Sequence, residues 1–245
     1  MAESKGLEQL AKAQELYVTY HLSGIDEHDA EILHHLDLAM ELGLSTDCEV
    51  MVHFTRGHIY LDRERLPEAE AELAKAIELN RQSRKKLSAH LLGQTWEHLN
   101  TLHGKQGDRD QKIRCLEEGI KQLQVDYDQR EMDVKDALVR LHVLLGLNHE
   151  GLDNMQAHSI FQQALQIDPQ HPLLHWSLGW FYCNKKDVPE FYDPRKAIEH
   201  WEQYLTLEKY DEDMKQKIKN NLEQLKKEVK AKEEPKKGFF KKLFG

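Results

Sequence analysis

Fifteen histidines and three cysteines are the side chains of this 245-residue chain best suited to hold a metal or attack a substrate. Their spacing argues against both. His34 and His35 are neighbours and so project to different faces of a helix. His21, His28, His98 and His103 are read as lacking a cysteine or carboxylate at ligand spacing on the same turn. No HExxH or CxxC occurs, so the pattern predicts neither a metal site nor a cofactor. Cys48, Cys115 and Cys183 stand far apart, as reduced thiols in a cytoplasmic protein do. Nucleophile and phosphate motifs (GxSxG, a P-loop lysine, GxGxxG) are absent, and the expectation is a protein without catalysis.

The last residues carry a different chemistry. Wound as a helix, Phe239, Phe240, Leu243 and Phe244 form one apolar face at i, i+1, i+4 and i+5, and Lys237, Lys241 and Lys242 flank it. Exposed aromatics of this kind need a recipient. Three stay open: an anionic bilayer, met weakly and reversibly; a groove on a partner protein; or the chain's own body. From Lys226 onward eight lysines face three glutamates, so with a net charge of -9 the preceding residues carry -14. An acidic body argues against nucleic acid as a partner, since phosphates need neutralising cations.

These groups must be positioned by helices. Charged residues make up 31% of the chain, against 13 glycines and 6 prolines, which favours long solvated helices over strands. No apolar run of signal-peptide or membrane-spanning length occurs, and the expected location is the cytoplasm, with a membrane-peripheral variant if the tail binds lipid. Apolar residues recur at helical spacing from Leu7 to Tyr20 and from His28 to Leu42. Gly57-x2-Tyr60 precedes a turn near Pro67 and then Ala69-x3-Leu73-x2-Ala76. Gly107-Asp108 marks another turn, before Ile113, Leu116, Gly119 and Ile120. Ala157-x3-Phe161 is followed by Asp168-Pro169, then by Leu178-Gly179-x2-Tyr182 and, after an insertion at 187–194, by Ala197-x3-Trp201.

This alternation of small and large residues on paired helices resembles the tetratricopeptide repeat. The resemblance spans roughly residues 45 to 210, with a degenerate first pair, and implies about five helix pairs. The fold expected is an all-α, right-handed α-solenoid of antiparallel helix pairs over 1–210. A capping helix at 211–232 and a flexible basic-aromatic tail at 233–245 are expected to follow. Equivalent small positions fall at Ala39, Ala76, Gly119 and Ala164, then Tyr204, and every interval exceeds the family's period of about 34. Longer helices or loops are therefore expected.

In this family the first helix of each pair lines a concave face that holds a partner segment. With Gly57 and Gly179 as phase markers, the resemblance puts Phe54, His58, Leu61, Trp176 and Trp180 on that face. The same phase adds Glu97, Thr101 and His142. Gly57, Tyr60, Ala69, Ala76, Ala157, Phe161, Ala164, Gly179, Tyr182 and Ala197 are framework. Relatives that hold a C-terminal carboxylate use lysines and asparagines here, whereas this chain has Phe54, His58 and Glu97. The function expected is an adaptor that binds another protein or a peptide segment. An alternative makes the Lys/Phe tail its principal docking element.

Overall fold

The computed structural model describes residues 2–84, 86–128, 130–186, 188–209 and 211–233. Eleven α-helices and no strand occur among them. They fall into two compact units, Met1–Leu141 and His142–Gly245. The expected tail residues Lys237, Phe239, Phe240, Lys241, Lys242, Leu243 and Phe244 lie outside the described residues. None of the described helices is long and apolar enough to cross a membrane.

In the first unit, α1 (Ala2–Thr19) packs on α2 (Asp29–Leu42), α3 (Thr46–Asp62) on α4 (Leu66–Gln82), and α5 (Ala89–Gln106) on α6 (Arg109–Asp126). Helix α7 (Met132–His149) crosses the unit boundary. The second unit continues with α8 (Asn154–Ile167), α9 (Pro172–Asn184), α10 (Pro194–Leu207) and α11 (Glu212–Glu233). Helices α3 to α7 have 17 or 18 residues each, while α8 to α10 have 13 or 14. Long helices in the middle of the chain therefore stretch the repeat interval there.

Local chemistry sets the helix ends. The side chains of Ser88, Asp108 and Asp153 accept from Leu91 N, Gln111 N and Gln156 N, capping α5, α6 and α8. Asp193 caps α10 in the same way, with Pro194 in the first turn where its missing N–H costs nothing. Between α4 and α5 the basic segment after Gln82 leaves the helix. Its backbone is held by buried Asn80, which accepts from Leu87 N (2.7 Å), and by Asp47, which accepts from Arg84 N (3.1 Å). The connections within four pairs each place one residue at positive φ: Gly24 (77°), Glu64 (57°), Gly107 (75°) and Gly151 (80°).

Each of four pairs closes where a glycine faces a large side chain. A Cβ added at Gly57 would lie 2.7 Å from Leu73 Cδ2, at Gly146 2.7 Å from Phe161 Cε1, and at Gly179 2.2 Å from Trp201 Cδ1. In α5–α6 the polarity is reversed, with Trp96 of the first helix lying against Gly119 of the second (2.6 Å). Helices approach closely only where one partner has no side chain, and the facing large group fills the space. The first pair lacks the central glycine but makes its close approach at Gly6, where an added Cβ would lie 2.7 Å from the Gly43 carbonyl oxygen. Tetratricopeptide-type packing thus rests on complementary size across each pair.

Candidate functional site

Two features on the first helices of residues 1–141 combine exposure with polar chemistry. One is a cleft of about 460 Å³ between α1, α3 and the start of α5. Leu7, Leu10, Ala11, Met51 and Leu91 form its apolar surface, and Gln14, Asp47, Lys86 and Ser88 supply polar atoms. Lys86 is fixed at the rim by donating to the carbonyls of Asn80 (2.8 Å) and Arg81 (2.9 Å).

The other feature is a row of polar side chains across successive first helices. Tyr17 Oη bonds His58 Nδ1, linking α1 to α3. The His58 ring lies 4.2 Å from that of His98, linking α3 to α5. Arg140 on α7 donates to both carboxylate oxygens of Glu97 (2.8 and 2.5 Å). At the end of α1 the chain turns through His21, whose Nδ1 meets Asp29 Oδ1 at 2.8 Å. Arg63 Nε donates to the other Asp29 oxygen at 2.9 Å. His21 Nε2 lies 3.2 Å from Asp62 Oδ2, and His58 Nε2 lies 3.6 Å from the same atom. His21, His58 and Asp62 are thereby a set of three groups of metal-ligand type.

Burial dominates the titration of this row. It lowers His58, with Asp62 opposing, and pushes His98 down to about 3, helped by His58 and Arg140. Burial also raises the Tyr17 phenol, and Asp62 and Asp29 add to that effect. His98 is neutral across physiological pH and Tyr17 keeps its proton.

The expected groove residues are placed differently from one another. Phe54 and Leu61 are only 2% and 3% exposed, so they do not line an open face. Leu61 packs with Ala69 and Leu102, and Phe54 leans on His98 at 6.1 Å. The reason is angular: at 3.6 residues per turn they sit roughly 40–60° from Gly57, inside the arc that neighbouring helices cover. Met51, about 120° away, reaches the cleft. His142 is buried as well, at 4% exposed. Glu97 is engaged by Arg140, and Thr101 is exposed but donates to its own helix at Glu97 O (3.0 Å). Of the predicted set, His58 and Glu97 join the polar row, and His58 alone meets Asp62.

In the second unit, Trp180 stands edge-on to Trp201 (5.0 Å) and borders Asn221, Gln224 and Leu225 of α11. Helix α11 therefore covers it. Trp176 lines a cleft of about 280 Å³ with Leu173, Tyr204 and Met214. The insertion does not cover the tryptophans: Phe191 turns instead to Phe181 (5.6 Å) and His158 (5.9 Å).

Sequence reading missed the cleft and the His21–Asp29 pair. The cleft has a signal in Leu7, Leu10, Ala11 and Gln14 at i, i+3, i+4 and i+7, a spacing that core and cleft stripes share. His58 and Asp62 stand at i, i+4, which is a ligand spacing on one helix face. His21 and Asp29 come from separate elements and gave no local signal.

Antiparallel helix pairs closed by small-against-large contacts define a tetratricopeptide-type helical-repeat fold. No family model and no curated relative matches the chain by sequence. Among solved structures it is similar to PilF of Pseudomonas aeruginosa, at 13% identity and a TM-score of 0.58, over 94% of this chain and 100% of that one. It is also similar to YrrB, described as a TPR protein with an unusual peptide-binding site. That match has 19% identity and a TM-score of 0.48, over 90% of this chain and 98% of YrrB. The PilF likeness is one of fold.

Proposed function

We propose that the chain is a non-catalytic interaction scaffold that holds a segment of another protein in the cleft between α1, α3 and α5. The observation that carries this reading is the cleft itself, an apolar floor of Leu7, Leu10, Met51 and Leu91 edged by Gln14, Asp47 and Lys86. Sites of this size accept a few side chains, with apolar area supplying affinity and sparse polar atoms setting orientation. A segment with two or three apolar side chains and backbone amides free to meet Gln14 and Asp47 suits that lining.

Capture from cell extract tests it, using the intact chain, Leu7→Lys/Met51→Asp, Trp176→Ala/Trp180→Ala and a chain ending at Glu234. Loss of the captured segment in the first variant alone supports the cleft, at about 1–2 kcal/mol per anchor. Loss only in the tryptophan variant moves recognition to the second unit. Loss only on truncation makes the tail the docking element.

A further inference from the structure

The polar cluster at the end of α1 is more than a buried hydrogen-bond network. His21 has a side chain only 3% exposed, and its Nδ1 is committed to Asp29. Its other ring nitrogen, Nε2, is buried without a hydrogen-bond partner, yet it lies 3.2 Å from a carboxylate oxygen of Asp62. A buried imidazole nitrogen left in that position costs free energy unless a proton or a metal ion joins it to the carboxylate. His58 presents Nε2 to the same oxygen at 3.6 Å, and its Nδ1 is engaged by Tyr17.

We infer that His21 Nε2, His58 Nε2 and an Asp62 carboxylate oxygen form a site for one divalent transition-metal ion of the zinc class. The three ligand atoms lie within 4.8 Å of one another. Zinc bonds of about 2.0–2.1 Å in a tetrahedron require edges of roughly 3.3 Å, so the two contacts to Asp62 are already close to the bound spacing. Two imidazoles and a carboxylate suit zinc better than calcium or magnesium, which take oxygen ligands.

The surroundings are those of a supported metal site. With a metal on each Nε2, His21 Nδ1–H donates to Asp29 and His58 Nδ1–H donates to the Tyr17 oxygen. Both tautomers and both ring orientations are then set by outer partners. Asp29 is itself held by Arg63 Nε at 2.9 Å. The Asp62 side chain is 55% exposed, which provides an entry path and leaves room for water as the fourth ligand. His58 and Asp62 lie one turn apart on α3, whereas His21 follows α1, so the ion would clamp the first helix pair to the second.

The test is titration of the metal-stripped full chain with Co²⁺, followed by its displacement with Zn²⁺. The readouts are the visible ligand-field absorption of Co²⁺ and competition with a chromophoric chelator. The comparison set is Asp62→Asn, His58→Gln, Asp29→Asn and, away from the cluster, His34→Gln, each checked for unchanged helicity. The expected result is one equivalent bound. Asp62→Asn and His58→Gln should each weaken affinity by at least about tenfold, Asp29→Asn by about 10- to 100-fold as an outer partner, and His34→Gln not at all. Asp62→Asn is nearly isosteric and partly exposed, so it separates loss of a ligand from loss of fold. Absence of saturable binding overturns the proposal. So does binding that Asp62→Asn and His58→Gln leave intact, which would mean that a proton alone bridges His21 and Asp62.

Discussion

Both units bury histidines, but the company is different. In the first, His21 meets Asp29 and Asp62, and His58 meets Asp62, so the imidazoles lie against carboxylates. In the second, His175 Nδ1 is 3.0 Å from His200 Nδ1, and its Nε2–H donates to Pro169 O at 2.9 Å. His200 stacks on Tyr182 (5.7 Å, 4° between planes), and His158 bonds the Tyr182 hydroxyl at 3.0 Å. The charged or titratable groups that act on His200 are His175 and Lys196, both disfavouring a proton, and burial pushes it down to about 4. The imidazoles of the first cluster therefore share a carboxylate, whereas those of the second pack on one another and on a phenol ring. What decides is whether a carboxylate lies against the ring, here Asp62, one turn from His58 on α3, and Asp29 of α2.

The largest effects should come from the helix contacts that hold each arrangement. Gly179→Ala drives a Cβ to 2.2 Å from a fully buried indole, whereas a Cβ at Gly57 comes no closer than 2.7 Å to Leu73. Urea unfolding should show about 2–3 kcal/mol lost at Gly179 and about 1 at Gly57. Equal losses would mean that the Trp201 pocket yields as readily as the Leu73 one.

Acid should act on the first unit through His98 and on the second through His200. The folded-state pKa of His200 lies below its unfolded value near 6.5, so the unfolded chain binds the extra proton first. Stability is intact above about pH 6.5 and falls as pH drops toward 4, by about 2–3 kcal/mol in all at roughly 1.4 kcal/mol per unit. His200→Gln should flatten unfolding free energy against pH over that window. An unchanged slope would assign the acid sensitivity elsewhere.

Metal should act on the first unit. Zinc at about 100 times its dissociation constant contributes about 2.7 kcal/mol to the state that binds it. Hydrogen exchange should slow in α1 and α3 and stay unchanged in α9 and α10. Uniform slowing would remove the contrast between the units.

The smallest effect belongs to a turn. Glu64 holds φ 57° where the equivalent turns use Gly107 and Gly151. Glu64→Gly should raise stability slightly, since the relief of a left-handed residue outweighs the exposed contact to Lys105. A loss in thermal melting would show that the contact outweighs the backbone.

Fold class was legible because it rests on local periodicity. Alternating small and large residues such as Gly57 with Leu73, or Ala157 with Phe161, state the helix pairing within a few turns of chain. Helix ends were legible where caps are local, as at Gly107-Asp108 and Asp193-Pro194. Gly119 is legible as one of the equivalent small positions, although its reason, the Trp96 ring, lies on the other helix of the pair.

By itself, then, the sequence determined an all-α repeat of paired helices, because side-chain size and 3.6-residue periodicity act within one or two helices. Which face stays open was decided only by tertiary structure. About 60–80° around α3 separates Met51, half-buried at the cleft, from Phe54 and Leu61, which are buried. The meeting of His21, Asp29, His58 and Asp62 was decided there too, because electrostatics depends on distance in space, and those residues come from separate elements.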